Sequence, residues 1–95
     1  MPATVDDITV NYEENGVLIV KELDKRVLSK GAWATLLFKY QEFSRAKQQY
    51  GPEKYAIRRY QKVDGEYRSK SKFVISSADQ ARQIIDTLTE WTAAE

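Results

Sequence analysis

Residues 55–92 read YAIRRYQKVDGEYRSKSKFVISSADQARQIIDTLTEWT, two extended runs around Asp64-Gly65 followed by a polar start signal and an apolar stripe. Asp-Gly flanked by runs rich in branched and aromatic residues predicts a hairpin over Tyr55–Val63 and Glu66–Ile75, because both turn residues tolerate positive φ. Ser77-Ala78-Asp79-Gln80 fits a capping box, the Ser77 hydroxyl accepting from the Gln80 amide and the Gln80 side chain reaching back to the Ser77 amide. Ala81, Ile84, Ile85, Leu88 and Trp91 then recur at three- and four-residue steps. That spacing predicts an amphipathic helix of about four turns over 77–92.

Outward from this hairpin, the same patterns extend towards the N-terminus. Ile8 to Glu13 alternates apolar and polar and ends at Asn15-Gly16, so an additional N-terminal strand is expected over 8–13. Val17 to Leu28 is an extended run, and Ser29-Lys30-Gly31 reverses the chain. In Ala32–Phe43 the residues Ala34, Leu36, Phe38 and Tyr40 share one face, as in a strand with one buried side. Ser44 to Glu53 is polar, contains Gly51-Pro52 and is expected to be a surface loop with a helical turn near Arg45–Gln49. The expectation is one α+β domain over 1–95: a curved antiparallel sheet of four to five strands within 17–75, closed by one C-terminal helix.

With 95 residues the chain has room for one core. It contains neither cysteine nor histidine, which removes disulfides, thiolate nucleophiles, histidine bases and the usual zinc ligands together. No carboxylate pair or glycine cluster stands out as catalytic or phosphate-cradling. The expectation is therefore no enzyme, no cofactor and no metal. No apolar run reaches the roughly 20 residues of a membrane span, and the first residues lack a basic and apolar leader pattern, so a cytoplasmic protein is expected.

The formal charge is only +1, but it is unevenly distributed. Residues 1–24 carry −5, residues 25–38 carry +3, residues 39–72 carry +6 and residues 76–95 carry −3. The second hairpin concentrates Arg58, Arg59, Tyr60, Lys62, Tyr67, Arg68, Lys70 and Lys72. Cations follow a phosphate backbone and aromatic rings stack on bases, so this mixture suits single-stranded nucleic acid. The bland alternative is a solvated strand face whose charges prevent edge pairing.

Strict alternation puts Arg68, Lys70 and Lys72 on one face and Arg58, Tyr60 and Lys62 on one face of their own strand. A two-residue turn separates the two sets. A three-residue turn with a glycine bulge merges them and leaves Tyr55, Ile57, Val63, Tyr67, Phe73 and Ile75 to pack beneath the helix, with Arg59 needing a partner there. The second register is the one expected here. Trp33 and Trp91 are taken as core or interface residues.

Ile57-Arg58-Arg59-Tyr60, the turn at Asp64-Gly65, Lys72, Ile75-Ser76 and Gln80 follow one another as in the positive cofactor four family of single-stranded-DNA-binding coactivators, which this segment resembles. The Whirly proteins share that fold more distantly. The resemblance spans roughly residues 54–92. It implies a four-stranded curved sheet followed by a helix, dimerisation with helices at the interface, and grooves for unpaired DNA. Arg59 stands where the family has an acidic residue, and Ala81 where a Trp follows the Gln. The expectation is a homodimeric single-stranded nucleic-acid-binding module. Arg58, Lys62, Arg68, Lys70, Lys72 and Lys39 would hold phosphates, Tyr60 would stack a base, and Ile84, Leu88 and Trp91 would form the dimer interface. The alternative is a protein-interaction or dimerisation module on the same fold, which better explains the acidic ends.

Overall fold

The computed structural model describes residues 3–93. A single 3-10 turn at Val5–Asp7 leads into strands β1 (Tyr12–Glu14), β2 (Val17–Ser29), β3 (Trp33–Ser44), β4 (Gln49–Tyr50), β5 (Lys54–Val63) and β6 (Glu66–Ile75), and helix α1 (Ala78–Thr92) closes the order. The sheet is antiparallel and curled, in the order β1-β2-β3-β5-β6, with β4 pairing β3 in the segment read from sequence as a loop. This is an α+β domain. No helix among the described residues is long and apolar enough to cross a membrane.

The turns at Asn15-Gly16 and Asp64-Gly65 are of the two-residue kind. Asn15 and Gly16 have φ of 52° and 80°, and Asp64 and Gly65 have 52° and 81°, the left-handed values a type I′ turn demands. Val63 therefore faces Glu66, and the three-residue turn expected above is corrected. A bulge appears elsewhere: Arg59 pairs Ser71 and Tyr60 pairs Ser69, leaving Lys70 as the extra residue. One unpaired residue reverses the parity of the strand, so Arg68 and Lys72 lie on opposite faces.

One face of the sheet carries the core. Ala34, Leu36, Phe38, Tyr40, Ala56, Tyr60 and Tyr67 are buried there, and Ile8 and Val10 complete the cluster from above. The cover is therefore the N-terminal segment, where the sequence reading put the helix. The pairing of β1 begins only at Tyr12, and Ile8–Asn11 cross the sheet as an arm. Lys25 fastens the arm, its Nζ donating to the carbonyls of Val5, Asp6 and Ile8 at 2.9, 3.0 and 2.7 Å. Asn11 Oδ1 accepts from the Glu22 amide at 2.7 Å.

Helix α1 starts at Ser77, whose Oγ accepts from the Gln80 amide at 3.1 Å. Gln80 Oε1 accepts from the Ser76 amide at 2.8 Å, one residue earlier than the box predicts. None of the helix residues is buried. It stands over the uncovered face at one corner, leaving an apolar cleft of about 450 Å³ between Leu37, Tyr55, Ile57, Ile75 and the helix residues Ala81, Ile84 and Ile85.

Candidate nucleic-acid interface

The strand register assigns each paired hairpin cation to a face. Arg58 stands opposite Lys72 on the covered side, and Lys62 stands opposite Tyr67 on the same side. Arg68 stands opposite Gln61 on the open side, as does Lys39, whose β3 position opposes Tyr55. The expected site is thus split: Arg58, Lys62 and Lys72 together, Lys70 at the bulge, Arg68 and Lys39 across the sheet.

Strand β6 is the outer edge of the sheet, and Arg68 to Val74 are all exposed along it. Edge strands carry unpaired backbone groups, and cations along one keep other strands away while holding a positive potential. Among the described residues, Arg58, Arg59, Lys62, Arg68, Lys70 and Lys72 form no ion pair, while Lys39, Arg45, Lys54 and Arg82 do. Lys39 lies 3.6 Å from Glu53, which lowers its value as a phosphate contact. Lys62 Nζ lies 5.6 Å from the centre of the Tyr67 ring. Arg58 is half-buried, and its Nε has no hydrogen-bond partner.

Tyr60, the residue expected to stack a base, is 5% exposed in the core. A buried ring offers no face, so this assignment is corrected. Tyr67 belongs to the same core, its hydroxyl donating to the Gly31 carbonyl at 2.7 Å, and does not lie under the helix.

The accessible aromatic near the cations is Trp33, which the sequence reading took for a core or interface residue. It is 42% exposed on the open face. Arg59, whose need of a partner was evident from sequence, lies with its guanidinium 4.7 Å from the Trp33 ring centre. Trp33 faces Gln61, which faces Arg68, so one row across the open face reads Trp, Gln, Arg. Two rows further along the strands, past Thr35, Arg59 and Ser71, the row is Leu37, Ile57 and Phe73, apolar and turned towards the helix. Alternation in β3 puts Trp33 on the face opposite Ala34 and Leu36, and this was the available signal.

Ile84 is half-buried beside the clefts under α1, and Leu88 and Trp91 are exposed, Trp91 to 70%. Among the described residues no group of three or more acidic side chains could hold a metal ion. No family model, curated protein or solved structure matches the chain.

Proposed function

We propose that this chain is a single-stranded nucleic-acid-binding module, acting as a homodimer on DNA in transcription or DNA maintenance. The observation that carries the reading is the edge hairpin, where six cations stand without a carboxylate partner among the described residues. Free cations attract a polyanion by releasing its counterions, and a sheet edge is slim enough to follow a flexible single strand. A cytoplasmic setting belongs to the same proposal, since it is one where unpaired nucleic acid is met.

Homodimerisation is supported by shape. The chain exposes 6737 Å² with a radius of gyration of 15.3 Å. A compact monomer of this mass would expose about 5,600 Å² and have a radius near 12.4 Å. The excess, about 1,100 Å², exceeds the roughly 800 Å² one partner contributes to a standard interface. The helix is also self-complementary. Antiparallel pairing about a two-fold axis level with Asp86 sets Ala81 against Trp91 and Ile84 against Leu88.

The same unpartnered helix favours a second reading, a dimerising protein-interaction module with no nucleic-acid ligand. Anisotropy of a labelled 20-nucleotide single strand, at low and physiological salt and beside the matching duplex, decides between them. Micromolar binding that prefers the single strand and weakens with salt is expected. Absence of binding at low salt sinks the first reading and leaves the second.

A further inference from the structure

We infer that Trp33 and Arg59 form the base-stacking platform of this module, with Gln61 and Arg68 completing a one-nucleotide site on the open face. The inference rests on the nucleic-acid reading above and locates its aromatic contact away from Tyr60 and on the other side of the sheet. The guanidinium of Arg59 lies over the indole at 4.7 Å, and Trp33 is 42% exposed. A guanidinium held against an indole fixes the ring and adds its own planar surface, and bases stack on both aromatic and guanidinium planes.

The row geometry supplies the remaining contacts. Neighbouring strands lie about 4.8 Å apart, so Gln61 is one strand from Trp33 and Arg68 two, roughly 10 Å away. That is the reach between a stacked base and a phosphate of its own or the next nucleotide. The Gln61 amide lies between them and can both donate to and accept from a base edge. Arg68 is exposed and has no carboxylate partner among the described residues. Thr35 and Ser71, flanking Arg59 in the next row, are short and leave the approach to the ring clear.

The ligand class is an unpaired base of either nucleic acid. A base in a duplex has its faces covered by its neighbours, so the platform selects single strands without reading sequence.

Oligothymidylate of 20 nucleotides, which does not fluoresce, is the probe. Titration should quench the indole emission of the unmodified chain, and that quench should vanish in Trp33→Phe, where Trp91 is the sole indole. Trp33→Ala should weaken binding about tenfold by anisotropy with the salt dependence unchanged, since no phosphate contact is lost. Trp33→Phe, which keeps an aromatic face and guards against misfolding, should lose less. Binding with unaltered indole emission and unaltered affinity in Trp33→Ala overturns the platform and leaves the nucleic-acid reading intact. Absence of any binding by the unmodified chain overturns both.

Discussion

Lys25 holds the carbonyl of Ile8 at 2.7 Å, and through that bond the N-terminal arm is fixed over the core. The ammonium sits opposite Phe38 on the covered face and satisfies three carbonyls of a segment that has no strand neighbour of its own. A charged donor serving three acceptors is worth more than a neutral pair. Replacing it, as in Lys25→Met, should destabilise the fold by about 2 kcal/mol. In thermal unfolding that corresponds to roughly 8 to 16 °C for a domain of this size. Amides of residues 5–10 should exchange faster while those of β3 and β5 keep their protection.

Ile8 is 2% exposed, so truncation to alanine opens a cavity above Leu36 and Phe38. The expected cost of Ile8→Ala is about 3 kcal/mol in denaturant unfolding. Ile85, on the helix stripe, is 59% exposed. Ile85→Ala should leave the stability of the dilute monomer nearly unchanged, because little contact is removed. A large loss from Ile85→Ala under those conditions would mean that the helix, and not the arm, covers the core.

The legible parts of the fold are those set by local chemistry. Asn15-Gly16 and Asp64-Gly65 announce their turns because positive φ needs such residues, and Ser77 with Gln80 announces a helix start because orphan amides need acceptors. Alternation in β3 separates Phe38 from Trp33 without further help. The site was less legible because alternation holds only between bulges. Lys70 is one residue among serines and lysines, and nothing in its neighbours marks it as unpaired, yet it decides whether Arg68 joins Lys72. The cover was illegible for a different reason. Ile8 and Val10 have the same spacing in a strand and in an arm laid across one, and the helix stripe says that something must cover it without saying what.

Gly65 has φ of +81° and open space where a Cβ would stand. Its substitution therefore meets a backbone penalty and no clash. Gly65→Ala should cost about 1 kcal/mol, and Asp64→Asn should be close to neutral because Asn accepts the same left-handed geometry. Equal losses from the two variants would show that the Asp64 carboxylate, rather than the turn conformation, sets the register.

High pH should weaken the fold through two neighbours. Burial, and next the Glu42 carboxylate, hold the Tyr40 hydroxyl above its ordinary value of 10.0, and the hydrogen bond to Glu42 holds Lys54 above 10.5. Both groups bind their proton more tightly when folded. Their contributions are complete below the unfolded values and fade as pH rises through the folded ones. Stability measured in urea should be flat near pH 8 and fall from about pH 10 upward. Glu42→Gln should lower the plateau by about 0.5 kcal/mol, as for other partly exposed surface pairs, and flatten the fall.

The apolar stripe of α1 makes a prediction that separates dimerisation through this helix from association elsewhere. About a two-fold axis level with Asp86, Ile84 of one copy stands beside Leu88 of the other, and each such contact is made twice. Leu88→Asp puts two carboxylates into that seam and should weaken dimerisation by about tenfold or more. Trp91→Ala, which removes a ring 70% exposed in the single chain, should weaken it as well. Arg82→Glu, on the polar side of the same helix, should leave the dimer constant unchanged to within about 0.5 kcal/mol. Light scattering and sedimentation over a micromolar dilution series measure all three. Weakening by Arg82→Glu as large as by Leu88→Asp would rule out the stripe as the seam, and a monomer throughout would rule out the dimer.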